Sequence, residues 1–394
     1  MDILYVLERF PQISESFIVN ELYELSRRGH NVYVFSFDES NEDIEHDELS
    51  KVQIPIEYGS TPSLSSYSEL SLGKLSIHKF WKELIFIDHP VRHLNRLCYS
   101  KQILDYIRDC GGVDVIHAHF ATTSKLSAVY ASRSYGIPCT VTAHATEIFA
   151  DPNFRLLRQV LQSYDGILTP SKYNKSYLKD NCGEDLDIRV VPATTRVDKF
   201  KPSNEHVPGR VLTVARLVEK KGHKYAIEGI SELLDRGYNL KYHIVGTGRL
   251  ESDLRQQVNE NCIEDHVEFL GHVTDSQLQQ EFNEAELFIL PCVIASNGDR
   301  DVAPVSLKEA MATQTACIST TVSAIPELIT DEYDGLLVEP RHSDKLADSI
   351  AHLIDNPTYR EEIAKNGRDT VRKQFDISTS VDAMVEYFKE IDDR

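Results

Sequence analysis

Two rhythms of apolar and polar residues alternate along the chain. Short, nearly continuous apolar runs at Ile3 to Leu7, Asn31 to Phe37, Val113 to His117, Pro138 to Ala143, Gly166 to Pro170 and Ile188 to Pro192 read as strands. Between them apolar residues recur at helical spacing, and one such stretch, Glu15 to Gly29, ends on the glycine expected past a helix C-terminus. A parallel sheet covered by helices on both faces gives this pattern, because its strands have no polar face to show. Ser203, Asn204, Pro208 and Gly209 then cluster as in an interdomain linker. Beyond them a second alternation places strands at Arg210 to Ala215, Leu240 to Val245, Val267 to Phe269, Leu287 to Leu290, Ala316 to Thr320 and Gly335 to Val338.

The predicted fold is therefore α/β, with two doubly wound, Rossmann-like parallel sheets facing a cleft. Residues 1–202 form the first domain, 203–209 the linker and 210–375 the second domain. Residues 376–394 are expected to cross back to the first domain as a helix, about Ser378 to Ile391. Ligands of such sheets sit off the carboxyl ends of the strands, so function is expected in the cleft. The acidic stretch Asp38 to Glu48 reads as an exposed loop.

Length agrees with two domains, since 394 residues exceed what one hydrophobic core usually supports. No run approaches the roughly twenty apolar residues of a membrane span. The opening Met1-Asp2-Ile3-Leu4-Tyr5-Val6-Leu7 has no basic flank or cleavage site, so a buried first strand in a cytoplasmic protein is expected. Seven cysteines without a C-x-x-C pair argue against a disulfide framework or a zinc site. A net charge of −20 argues against nucleic acid as a partner. From Lys74 to Arg108 the balance reverses, with seven basic against three acidic residues among interleaved apolar ones. That segment reads either as a solvated helix packed on its own domain or as peripheral contact with an anionic membrane.

Candidate chemistry gathers in the second half. Arg216 and Lys221 follow the strand Arg210 to Ala215, where a fork and a point charge suit a diphosphate. Taken alone, R-x4-K is a weak signal, since basic residues commonly follow strands. The segment Asn297-Gly298-Asp299-Arg300-Asp301-Val302-Ala303-Pro304-Val305-Ser306 leads from another strand into a helix opening near Pro304 or Val305. Free backbone N–H groups and the helix dipole would there cradle a diphosphate. Asp301 precedes this helix and Glu309 lies about one turn inside it, so two carboxylates could accept from different hydroxyls of one ligand. Either acid alone also fits a charge paired with the helix start. From spacing, His144 is a satisfied histidine at a strand end, as are His117 and His119, and Ser14 and Glu15 fit a helix cap.

Together these residues resemble glycosyltransferase family 4, whose signature is E-x7-E in a GT-B fold. The likeness rests on Arg216 with Lys221, Asp301-x7-Glu309 and Glu309-Ala310-Met311-Ala312. It extends to Phe10-Pro11-Gln12-Ile13-Ser14-Glu15-Ser16-Phe17, His117-Ala118-His119-Phe120, Thr142-Ala143-His144-Ala145, Val245-Gly246-Thr247-Gly248, Phe269-Leu270-Gly271 and Ile325-Pro326-Glu327-Leu328. Gly298-Asp299-Arg300-Asp301 is similar to the branch that builds exopolysaccharides such as colanic acid, in which aspartate is usual at the first acidic position.

The resemblance implies a retaining glycosyltransferase of the hexosyl type. It would need no metal and no cofactor beyond its nucleoside diphosphate sugar, and would act on a polysaccharide, glycolipid or lipid-linked acceptor. By position, Arg216, Lys221, Val305 and Ser306 would hold the donor diphosphate, Glu309 the ribose, and Asp301, Val302, Ala303 and Pro304 the donor sugar. His144 and Asp301 would be the catalytic pair, with His144 positioning the donor and stabilising the transition state. Val273 is assigned to the base, and Ser14 and Glu15 to a loop approaching the phosphates.

Four departures from the family pattern bear on this. Val302, Gln314 and Ala324 stand where donor-site glycines are typical, and Ala193-Thr194-Thr195-Arg196 replaces an asparagine-glycine pair. Val302 threatens most, since a β-branched side chain could narrow the sugar pocket. The departures leave two readings open: a pocket reshaped for an unusual sugar, or a degenerate protein that binds a sugar nucleotide or serves as a partner subunit. A dehydrogenase fits poorly, because Gly246-Thr247-Gly248-Arg249-Leu250-Glu251 lacks the third fingerprint glycine. A GT-B epimerase would need further acid–base groups in the cleft.

Overall fold

The computed structural model of the chain describes residues 1–12, 15–40, 47–63, 66, 90–203 and 206–393. The first sheet is built from β1 (Asp2–Phe10), β2 (Asn31–Glu39), β3 (Ile56–Tyr58), β4 (Val115–His119), β5 (Cys139–Thr142), β6 (Gly166–Thr169) and β7 (Ile188–Val190). The second contains β8 (Arg210–Val214), β9 (Lys241–Val245), β10 (Val267–Gly271), β11 (Leu287–Ile289), β12 (Ala316–Thr320) and β13 (Leu336–Val338). Their orders are β3-β2-β1-β4-β5-β6-β7 and β10-β9-β8-β11-β12-β13, with parallel pairing throughout. Strand order reverses between β1 and β4 in one sheet and between β8 and β11 in the other. Crevices at such reversals admit ligands.

Burial explains the strand sequences. Ile3, Leu4, Tyr5, Val6 and Leu7 of β1 are all buried, because helices cover both faces. The helix Ser16–Arg27 buries Ile18, Val19, Leu22 and Leu25, one stripe at helical spacing. One face of the first sheet also takes residues from the far end of the chain: Ile377, Val381, Met384, Tyr387, Phe388 and Ile391 of the helix Ile377–Asp392 join its core. Asp376 caps that helix through the Ser378 backbone N–H. Ser380 fastens it to the Pro192 carbonyl at 2.8 Å, and Arg28 binds Asp382.

Two expectations are corrected. The stretch Asp38 to Glu48 is not a uniformly exposed loop: β2 runs to Glu39, and Glu48 is buried in the short helix Asp47–Lys51. Residues 41–46 lie outside the described residues. Arg196 and Lys199 reach Glu48 at 3.1 and 2.9 Å, which offsets the cost of removing its charge from water. The edge strand β3 was not among the predicted strands. Of the basic segment 74–108, residues 74–89 lie outside the described residues, and the rest falls in the helix Pro90–Asp109. Among the described residues no helix is long and apolar enough to cross a membrane.

Candidate active site

Arg216 leaves the carboxyl end of β8 on a loop held firmly by its neighbours. Leu217 donates to the Thr247 carbonyl at 2.9 Å, and Leu250 donates back to the Leu217 carbonyl at 3.1 Å. Gly248 permits this contact, since a Cβ there would stand 2.5 Å from the Leu217 oxygen. The Nε2–H of His223 donates to the Arg216 carbonyl at 3.1 Å; burial pulls this imidazole down to about 4, so it stays neutral. The Arg216 side chain is exposed and makes no hydrogen bond or ion pair among the described residues.

The next turn is laddered to the segment 296–301 by three rungs. Glu219 accepts from the Ser296 backbone and hydroxyl at 3.0 and 2.9 Å, Lys220 reaches Asp299 at 3.1 Å, and Lys221 reaches Asp301 at 2.8 Å. Burial alone would raise the Asp301 carboxyl, but Lys221, with Lys220 and Arg216, outweighs it and holds the group below the usual carboxylate range. The predicted phosphate lysine and the first acid of the motif thus lie against one another.

The helix Val305–Ala312 begins where predicted. Pro304 is its N-cap and supplies no side-chain acceptor, so the backbone donors of its first turn, Val305 and Ser306 included, have no capping side chain. Lys308 folds inward and donates to the Ala303 carbonyl at 2.7 Å, burial pulling its ammonium down to about 7. Glu309 is only 9% exposed, and its carboxylate makes no hydrogen bond or ion pair among the described residues. Burial pushes it up to about 7; Lys199 opposes the rise, and Asp275 and Glu48 add to it. Lys199 is itself shared between Asp275 and Glu48, at 2.7 and 2.9 Å.

The facing wall belongs to the first domain. His144 is the N-cap of the short helix Ala145–Phe149, and Glu147 accepts from its backbone at 2.7 Å and from Ala121 at 2.9 Å. The His144 ring lies between Phe17 and Phe120, with centroids at 5.0 and 4.6 Å, and its Nε2 meets His119 Nδ1 at 2.9 Å. Burial drives its pKa well below that of a free imidazole, and the neighbouring His119 adds to the shift. His117 is satisfied by Thr140 and Thr142.

The two walls touch through the segment 297–303. Arg300 lies 4.8 Å over the Phe149 ring and donates to the Tyr173 hydroxyl at 3.2 Å, while the Asp151 backbone donates to the Asn297 carbonyl at 3.2 Å. Gly298 lies so close to Phe149 that a Cβ would stand 2.7 Å from its carbonyl. Glu327 accepts from Lys172 and Tyr173 at 2.9 and 2.6 Å, capping a first-domain helix from the second domain. Val302 and Ala324 are buried in the first-domain apolar cluster that includes Ala143, Ile148 and Phe149, with Ala303 against it. Two of the missing glycines are thus apolar contacts between domains. The third, Gln314, keeps a φ of +61°, the conformation glycine favours.

Val273 packs on the second-domain cluster beyond β10. Glu15 occupies the N-cap position of Ser16–Arg27 without capping it, and accepts from the Gln12 amide at 3.3 Å. Ser14 lies outside the described residues. Sequence reading singled out neither Glu147 nor Glu21. A glutamate three positions past an N-cap is the signal that could have found the first.

Comparison with known proteins gives this cleft a context. Residues 14–198 match the model for Glycosyltransferase Family 4, and residues 195–370 match that for Glycosyl transferases group 1. WcaL of Salmonella typhimurium, provisionally named a colanic acid biosynthesis glycosyltransferase, is 27% identical, over 95% of this chain and 96% of its own. The amylovoran biosynthesis glycosyltransferase AmsK of Erwinia amylovora is 34% identical over 43% of this chain and 42% of its own. Among solved structures, HepE of Anabaena in complex with UDP and glucose superposes with a TM-score of 0.76 at 18% identity, covering 99% of both chains. A sucrose-phosphate synthase of Thermosynechococcus elongatus also gives 0.76, at 17% identity and 99% coverage of both. The fold is GT-B, as expected from the sequence.

Proposed function

Because the chain belongs to the glycosyltransferases, a family 4 domain followed by a group 1 domain, we propose that it is a retaining, metal-independent hexosyltransferase that serves exopolysaccharide assembly. It moves a sugar from a nucleoside diphosphate onto a saccharide or lipid-linked acceptor. The likeness to WcaL and AmsK supports the biosynthetic setting. The observation that carries the reading is Glu309: a nearly buried carboxylate without a partner among the described residues, one turn inside a helix whose first donors have no side-chain cap among them. Such a group calls for a ligand with hydroxyls to donate.

In this reading Glu309 binds the ribose. Arg216, Lys221 and the backbone of Val305 and Ser306 hold the diphosphate, and their grip strengthens as charge builds on it in the transition state. Asp301 and the Val302-Ala303-Pro304 backbone face the sugar, Val273 the base, and His144 positions the reacting end from the opposite wall. Closure of the domains excludes water. Docking on an anionic membrane belongs to the same proposal, supported by Val91, Arg92 and Leu94, which are exposed together at the start of Pro90–Asp109. The missing glycines favour a binder without turnover, but the packing of Val302 and Ala324 against the first domain gives both residues a different purpose.

The test is a release assay with uridine, guanosine and adenosine diphosphate sugars and a lipid-extract acceptor, alongside Glu309→Ala. Nucleoside diphosphate released from one donor, and lost in the variant, supports transfer. Saturable donor binding without release would favour the binder.

A further inference from the structure

Behind His144 the first domain buries two polar side chains to which the transfer reading gives no task. His119 and Glu21 are both buried, which is costly unless their polar atoms are used. His119 Nδ1 lies 2.9 Å from His144 Nε2, and His119 Nε2 lies 3.2 Å from Glu21 Oε2, a close approach whose angle falls short of a hydrogen bond. Tyr5 donates to the same Glu21 oxygen at 3.3 Å and stacks on His119, with centroids 5.6 Å apart and planes 18° apart. Register explains how the two imidazoles meet: His119 pairs with Thr142 at the end of β5, two residues before His144.

The ends of this line determine where its protons sit. In the capping box the Glu147 backbone N–H faces the His144 side chain without closing a hydrogen bond to it, an approach that a ring N–H on that side would oppose and a bare nitrogen accommodates. Nε2 faces His119, so Nδ1 is the bare atom and the single proton of neutral His144 is on Nε2. That proton needs an acceptor, so His119 Nδ1 is bare as well, and the His119 proton is on Nε2, toward the Glu21 carboxylate. A doubly protonated His119 would reverse the order, forcing the His144 proton onto Nδ1 and against the Glu147 N–H.

We infer that Glu21 and His119 are positioning residues for His144: a carboxylate–imidazole–imidazole line that fixes its ring and keeps its Nδ1 free of a proton. The inference rests on the reading of His144 as a group of the transfer site. It also assigns a sense to that group, since a bare Nδ1 accepts hydrogen bonds and donates none. Tyr5 holds the far end of the line, its hydroxyl also 3.8 Å from the Met384 sulfur of the C-terminal helix.

Histidine tautomers read by long-range proton–nitrogen correlation on the free, nitrogen-15-labelled full chain test this without any substrate. In the wild type, both His119 and His144 should carry the proton on Nε2. Glu21→Gln should mix the tautomers of both rings together. It should also lower kcat for nucleoside diphosphate release by about ten- to a hundredfold, with donor KM within about twofold. A His144 proton on Nδ1 in the wild type, or a His144 tautomer unmoved by Glu21→Gln, would overturn the inference. If Glu21→Gln does not fold, His119→Phe keeps a ring in place without its nitrogens, and an unchanged His144 tautomer there would count equally against it. Failure of every donor in the release assay would strike at the transfer reading and leave the tautomer result standing.

Discussion

Glu309→Gln should make the free protein more stable, by a margin that widens as pH rises. Burial holds the folded carboxyl at about 7 against an ordinary 4.5, so between those values the folded chain keeps a proton that the unfolded chain has released. Wild-type stability then falls with rising pH, by up to about 1.4 kcal/mol per unit. The contribution is whole below the unfolded value and gone once pH passes the folded one. Over the full displacement the loss amounts to about 3 kcal/mol, with little discount for solvent because the side chain is only 9% exposed. Glutamine fills the same space and does not ionise. Urea unfolding of both proteins at pH 5, 6, 7 and 8, without donor, should show a difference below about 1 kcal/mol at the acid end, growing to about 3 kcal/mol at pH 8. Lys308, pulled down to about 7, contributes a slope of opposite sign above that pH, but it does so in both proteins and largely cancels in the difference. A difference that stays flat across the range would refute the claim that burial holds a proton on Glu309. The same substitution should weaken donor binding by about tenfold, the loss of one charge-assisted hydrogen bond.

Three further outcomes are expected. Lys221→Ala removes a diphosphate contact and leaves Asp301 without its nearest cation, so kcat/KM with the donor found by the release assay should fall about a hundredfold or more, on the order of 2.7 kcal/mol; an unchanged rate would remove Lys221 from the site. Gln314→Gly relieves a left-handed residue just past the end of the helix Val305–Ala312 and should add about 1 kcal/mol, seen as a melting temperature higher by about 2–4 °C. Val302→Gly should cost about 2 kcal/mol of interdomain packing and reduce transfer; a gain in activity would mean instead that Val302 narrows the sugar pocket.

Much of the fold was legible because doubly covered parallel strands are written as apolar runs, and every one of the twelve predicted strands has a counterpart in the structure. The strand that escaped, Ile56-Glu57-Tyr58, is a three-residue edge with a charge at its centre, too short for a period to show. Glu48 misled for another reason: an acidic run predicts solvent, but its partners Arg196 and Lys199 lie about 150 positions away. At the candidate site, the Arg216, Lys221, Asp301 and Glu309 pattern was readable because strand ends and a helix start fix where those side chains emerge. The purpose of Val302 was not, since it depends on Phe149 and Ile148 across the cleft, and local reading saw only an absent glycine. Glu21 left no trace either, being one acid on an amphipathic helix until β4 brings His119 beside it.

The return of the helix Ile377–Asp392 to the first sheet also sets an order of events during synthesis. Tyr387 packs under Gly166, and Phe388 lies 5.2 Å from the His117 ring, so one face of the first domain stays open until nearly 190 further residues have been made. At about 5–20 residues per second, the ribosome holds that domain unfinished for roughly 10–40 s while the whole second domain emerges. A lesion in the last turns of the chain is therefore a lesion of the first domain. Premature stops near Val381 should yield protein whose N-terminal half is open to proteases and chaperones, although its second sheet is intact.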